Sequence, residues 1–123
     1  MNLPQFEQLV GEALDNLPPF FQEKLSNVAV VVEDQASAEV LSQQGLHHPL
    51  NLLGLYHGIP QTRRGVGYSF TLPDRISIYQ KAIEVRAATP SEIRALVAEV
   101  VEHEIGHHFG LSDEELAEAM GEE

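Results

Sequence analysis

His103 and His107 stand four residues apart, with Glu104 directly after the first and with Gly110 and Asp113 downstream. On a helix, residues i and i+4 lie one turn apart on one face, so two imidazoles at this spacing converge on one point. Neutral imidazole nitrogen is a good donor to Zn²⁺, which accepts three protein ligands and leaves a fourth position for water. Glu104 sits where its carboxylate reaches that water without itself binding the metal. Chance alone would place His-Glu-x-x-His in roughly 3% of chains of this length and composition. Requiring Gly110 and Asp113 as well lowers that to roughly one in ten thousand. The extended pattern carries the argument.

The helix cannot supply a third ligand at the right angle. Gly110 turns the chain, and Asp113, six residues after His107, is spaced to return a carboxylate. Glu114, Glu118 and His57 are reserve candidates for that place. His108 projects about 100° away from His107 and is read as packing or as a support behind the metal ligands.

These residues need a helix to hold them, and the sequence writes one. Thr89-Pro90-Ser91-Glu92 supplies an N-cap, a proline at the first helical position and a glutamate three residues after the cap. Ile93, Leu96, Val97, Val100 and Val101 make its apolar stripe, and Gly110 is placed to end it in a left-handed conformation. At about 100° per residue, His103, Glu104 and His107 fall in the same arc as that stripe and are expected to continue it. Ser112-Asp113-Glu114-Glu115 opens a last short helix by the same capping logic.

Upstream, residues 3–17 place Phe6, Leu9, Val10, Ala13, Leu14 and Leu17 on one helical face, and Pro18-Pro19 ends that helix. A short helix is expected over 19–25 and another over 35–44, closed by Gly45. Residues 28–32 form an aliphatic, β-branched run that suits a strand buried on both faces. Further strands are expected over 52–56, 68–71 and 75–79, the last with Ile76 and Ile78 inward and Ser77 and Tyr79 outward. The order of elements predicts an α/β (α+β) single domain over residues 1–123.

Composition removes other chemistries. The absence of cysteine excludes a disulfide scaffold, an iron–sulfur cluster and a thiol nucleophile. A formal net charge of −12 disfavours nucleic acid and anionic membranes as partners. Six of the seven basic residues fall between Arg63 and Arg94, and nine of the nineteen acids between Glu99 and Glu123. No run of residues is long and apolar enough for a transmembrane helix. Glu7, Glu12 and Asp15 stand where a basic, apolar leader would lie, so a cytoplasmic protein is expected.

The His-Glu-x-x-His-x-x-Gly-x-x-Asp block resembles the zincin metallopeptidases. Over nearly its whole length the chain resembles the small bacterial zincin-like metallopeptidases, sometimes called minimal zincins. The matching stretches are 13–18, 27–34, 52–56, 58–63, 72–79 and 103–113. The resemblance implies a zincin-like fold, with a small mixed sheet packed on the active-site helix. It also implies one Zn²⁺ per chain held by His103, His107 and Asp113, with Glu104 as general base. Gln80 and the following Lys-Ala-Ile depart from the family, where an arginine and then a proline-containing stretch are expected.

The function expected is hydrolysis of peptide bonds in a peptide or protein substrate, through a zinc-bound water activated by Glu104. Tyr56, His57, Arg63 and Arg64 are candidate substrate-binding residues and donors to the oxyanion, because their loop is polar amid apolar strands. A sheet edge near the helix would take the substrate as an added strand. The alternatives are a non-catalytic zinc-binding module, a metal-dependent RNA nuclease of the three-histidine type, and a plain interaction domain. The nuclease reading lacks its third histidine and carries Glu104 where that class has none.

Overall fold

Asn2 starts the first helix by accepting from the Gln5 N–H while Gln5 reaches back to the Asn2 N–H, a capping box that fixes α1 (Leu3–Asp15). The computed structural model describes residues 1–58 and 74–120, the side chains of Asp113 and Met120 excepted. Among them, α1 is followed by α2 (Pro19–Lys24), β1 (Val28–Glu33), α3 (Ala38–Gln43), β2 (Gly54–His57) and β3 (Asp74–Tyr79). Then come α4 (Gln80–Arg86), α5 (Pro90–His108) and α6 (Asp113–Met120), and short 3₁₀ turns precede β1 and β2. The expected α/β architecture is present as a mixed sheet with helices on both faces.

The sheet order is β1-β3-β2, with β1 parallel and β2 antiparallel to β3. Ile76 and Ile78 of β3 pack on the face covered by α1 and α5, joining Phe6, Val10, Val97 and Val101 in the main core. Tyr79 packs on the other face with Ala36, Leu41 and Ala82.

The pairing corrects two expectations. β1 is half-buried along its aliphatic length, not buried on both faces, because among the described residues it pairs only with β3. Ser77 and Tyr79 do not face outward: they are 0% and 1% exposed, because the central strand is covered on both sides. Ser77 satisfies its hydroxyl by donating to the Glu33 carboxylate of β1. α4 follows β3 directly, at the position where the sequence departs from the family pattern, and no side chain caps its start. The strand expected over 68–71 lies outside the described residues. No helix among the described residues is long and apolar enough to cross a membrane.

Candidate metal centre

α5 begins as expected. Thr89 accepts from the Glu92 N–H at 3.2 Å, and Glu92 accepts from the Thr89 N–H at 3.0 Å. These bonds hold the Glu92 carboxyl below its usual range, the Thr89 backbone contributing most. The helix ends in a Schellman motif: the Leu111 N–H donates to the Gly106 carbonyl at 2.8 Å and the Gly110 N–H to the His107 carbonyl at 3.2 Å. Gly110 has φ +72°, a conformation that a side chain would strain. The chain then enters α6 through a second capping box, Ser112 and Glu115 bonding reciprocally at 3.1 Å. Leu116 of α6 packs directly over Gly106, where a Cβ would lie 2.6 Å from it.

His103 and Glu104 are half-buried and His107 is exposed. This corrects the expectation that all three continue the buried stripe. Burial runs instead through Val101, Glu102, Ile105 and Gly106, leaving the three at the margin where α5 meets β2. A margin keeps donor atoms close to the core and open to a substrate. The His103 and His107 ring centroids are 6.1 Å apart and tilted by 54°. Two imidazoles sharing a tetrahedral zinc need a centroid separation of roughly 5 Å, somewhat closer than these two stand.

Glu104 is fixed by the sheet. Its Oε1 accepts from the Tyr56 N–H at 2.9 Å. The Tyr79 N–H donates to the Leu53 carbonyl, and alternation along the antiparallel pair then turns the Gly54 and Tyr56 N–H groups away from β3, toward the outer edge of β2. The carboxylate therefore sits on the edge itself. Close approach of strand and helix depends on Gly54, where a Cβ would lie 2.7 Å from Val100 Cγ1 and 2.9 Å from the Ser77 carbonyl oxygen.

Tyr56 joins the site and His57 does not. The Tyr56 ring stacks on His108 with centroids 3.9 Å apart, and its hydroxyl donates to Asp74 Oδ2 at 2.8 Å. His108 Nε2 is 3.7 Å from the same oxygen. Asp74 was not singled out in the sequence; its one signal is that it opens the central strand. His57 pairs in register with Arg75 and, by alternation from Tyr56, lies on the face away from α5, so the structure does not bring it together with His103 and Glu104. Its Nε2 is buried with no hydrogen-bond partner among the described residues. Burial, then the Arg75 charge, lower its pKa, against an opposing pull from Glu33.

Asp113 is the first residue of α6, and its side chain lies outside the description. Among the described residues no three His, Asp or Glu side chains form a metal-holding group. Glu114 and Glu118 are exposed on α6. Arg63 and Arg64 lie outside the described residues.

A groove of about 270 Å³ opens beside the pair, lined by Leu52, Leu53, Leu96 and Val100 and ending at His103 and Glu104. A metal-spacing motif, a glutamate held at a strand edge and a groove leading to both meet on one surface.

Comparison with known families agrees with that convergence: a model of zincin-like metallopeptidases matches residues 25–122, spanning every element from β1 to α6. The chain belongs to the zincin-like metallopeptidases. No curated protein matches it. Membership in this family implies a metallopeptidase, with zinc as the metal and peptides as substrates. The donor chemistry fits that ion. Two half-exposed to exposed imidazoles stand one turn apart, and neither makes an ion pair among the described residues.

Proposed function

We propose that this zincin-like protein is a zinc-dependent endopeptidase in which His103, His107 and Asp113 hold one metal ion and Glu104 is the general base. The observation that carries the reading is the bond from the Tyr56 N–H to Glu104 Oε1, which anchors that carboxylate at the edge of β2, next in sequence to His103. Zinc, when bound, polarises the scissile carbonyl and makes water acidic enough to attack near neutral pH. Glu104, with Oε1 held, has Oε2 to take the proton of the attacking water and pass it to the leaving amine. The substrate lies extended along the outer edge of β2, where the Gly54 backbone groups point outward and the Tyr56 N–H is already taken by Glu104. Arg63 and Arg64, which follow β2 in sequence, are the proposed donors to the oxyanion.

The test is digestion of casein or a peptide library by wild type, Glu104→Gln and a chelated control. Glu104→Gln keeps an oxygen for the Tyr56 N–H, so fold and zinc content should persist while hydrolysis drops about 10²–10⁴-fold. Cleavage that survives both the substitution and chelation would defeat the proposal. Zinc binding without cleavage by any sample would favour the non-catalytic module.

A further inference from the structure

The groove that ends at His103 and Glu104 is not electrically neutral. Its floor is aliphatic, from Leu53, Leu96 and Val100, but its helix side carries Glu99, one turn before His103. At 1.5 Å of rise per residue, Glu99 stands about 6 Å along α5 from His103, and Leu96 about 10 Å. Glu99 is exposed and makes no ion pair among the described residues. None of the described residues lining the groove is basic. The surrounding sequence reinforces this, since no lysine or arginine follows Arg94.

An aliphatic floor with the Glu99 carboxylate at its rim, one turn away from the His103–Glu104 end, suits one kind of occupant: an apolar stem with a cationic tip. We infer that this groove selects lysine or arginine at a substrate position flanking the scissile bond, with Glu99 as the residue that sets the preference. The inference rests on the endopeptidase reading and names its substrate class. The stem buries methylenes against the three aliphatic side chains, and the ammonium or guanidinium pairs with Glu99 at the solvent-facing rim. Asp and Glu are disfavoured there, because Glu99 repels a carboxylate placed at the same rim.

The experiment separates charge from stem. Hydroxamates carrying a lysyl, norleucyl or glutamyl side chain are titrated calorimetrically into the zinc-loaded protein. Lysyl and norleucyl share the stem and differ in the charge. The lysyl compound should bind about two- to fivefold more tightly than the norleucyl one, the range of an exposed ion pair. The glutamyl compound should bind more weakly than either. Glu99→Gln should bring the lysyl-to-norleucyl ratio close to one, and Glu99→Lys should make the glutamyl compound the preferred of the charged pair. Raising the salt should shrink the wild-type ratio. Equal binding of lysyl and norleucyl compounds, or a lysyl preference that survives Glu99→Gln, overturns the specificity and leaves the metallopeptidase reading standing. Failure of all three hydroxamates to bind overturns that reading and this inference with it.

Discussion

β1 and β2 flank the same strand and do opposite work. β1 offers Val28, Val30 and Val32 to the core and Glu33 to the Ser77 hydroxyl, and its parallel register with β3 runs unbroken from Val28 to Glu33. β2 is two residues shorter and has given up aliphatic mass: Gly54 admits α5, Tyr56 stacks on His108, and a main-chain N–H holds Glu104. A half-buried strand that only packs can be built from interchangeable β-branched residues. A strand that orients a carboxylate has to come within hydrogen-bond distance of the helix, and that demands particular residues at particular positions.

If this division of labour is right, metal binding belongs wholly to the β2–α5–α6 side. His103→Ala or His107→Ala should reduce zinc from one per chain to none, and Asp113→Ala should weaken binding strongly. Val30→Ala on β1 should leave stoichiometry untouched. Elemental analysis checks all four, and full zinc in the His107→Ala protein would break the assignment.

Small substitutions should sharpen the contrast next. Gly54→Ala drives a methyl into Val100 and, worse, into the Ser77 carbonyl, which is backbone of the central strand and cannot move aside. We expect a loss of roughly 2 kcal/mol by overpacking, together with weaker zinc retention as α5 is pushed off the edge. Val30→Ala should lose about 1 kcal/mol by removing half-buried methyls and keep its zinc affinity. Denaturant midpoints and competition with a chelator read the two effects separately. Equal zinc affinity in both variants would mean that the strand edge does not position the site.

What the sequence makes legible divides along a related line. The capping boxes of α5 and α6, the turn at Gly110 and the pairing of His103 with His107 are local, written within a few residues of one another, and the structure bears out the caps and the turn. Matters that depend on which strand lies next to which are not written locally. Ser77 and Tyr79 alternate with Ile76 and Ile78 in a way that reads as one wet face, until α3 and α4 cover it. α4 itself starts at Tyr79 with no capping side chain to announce it. Glu104 meets a backbone N–H forty-eight residues away, and a main-chain donor leaves no mark on side-chain pattern. His57 belongs to a polar stretch amid apolar strands, which suits a site, yet strand alternation sends it to the face opposite Tyr56.

That last placement yields the smallest effect and a clear sign. On the α5-averted face His57 has a buried Nε2, and burial first, then Arg75, hold its pKa below the ordinary 6.5 while Glu33 pulls the other way. A group whose folded pKa is depressed binds fewer protons folded than unfolded as pH falls through 6.5. Its neutral form therefore supports the fold above that pH. The support is lost progressively as pH drops from 6.5 toward the lower value the imidazole takes in the fold, and changes no further below it. His57→Gln removes this contribution without adding a charge. With chelator present, urea midpoints of wild type at pH 7.5, 6.5 and 5.5 should fall more steeply than those of His57→Gln, so subtracting the two series cancels the other histidines. Parallel series would show that His57 titrates alike in the folded and unfolded chain, and that its imidazole is not buried on the far face of β2.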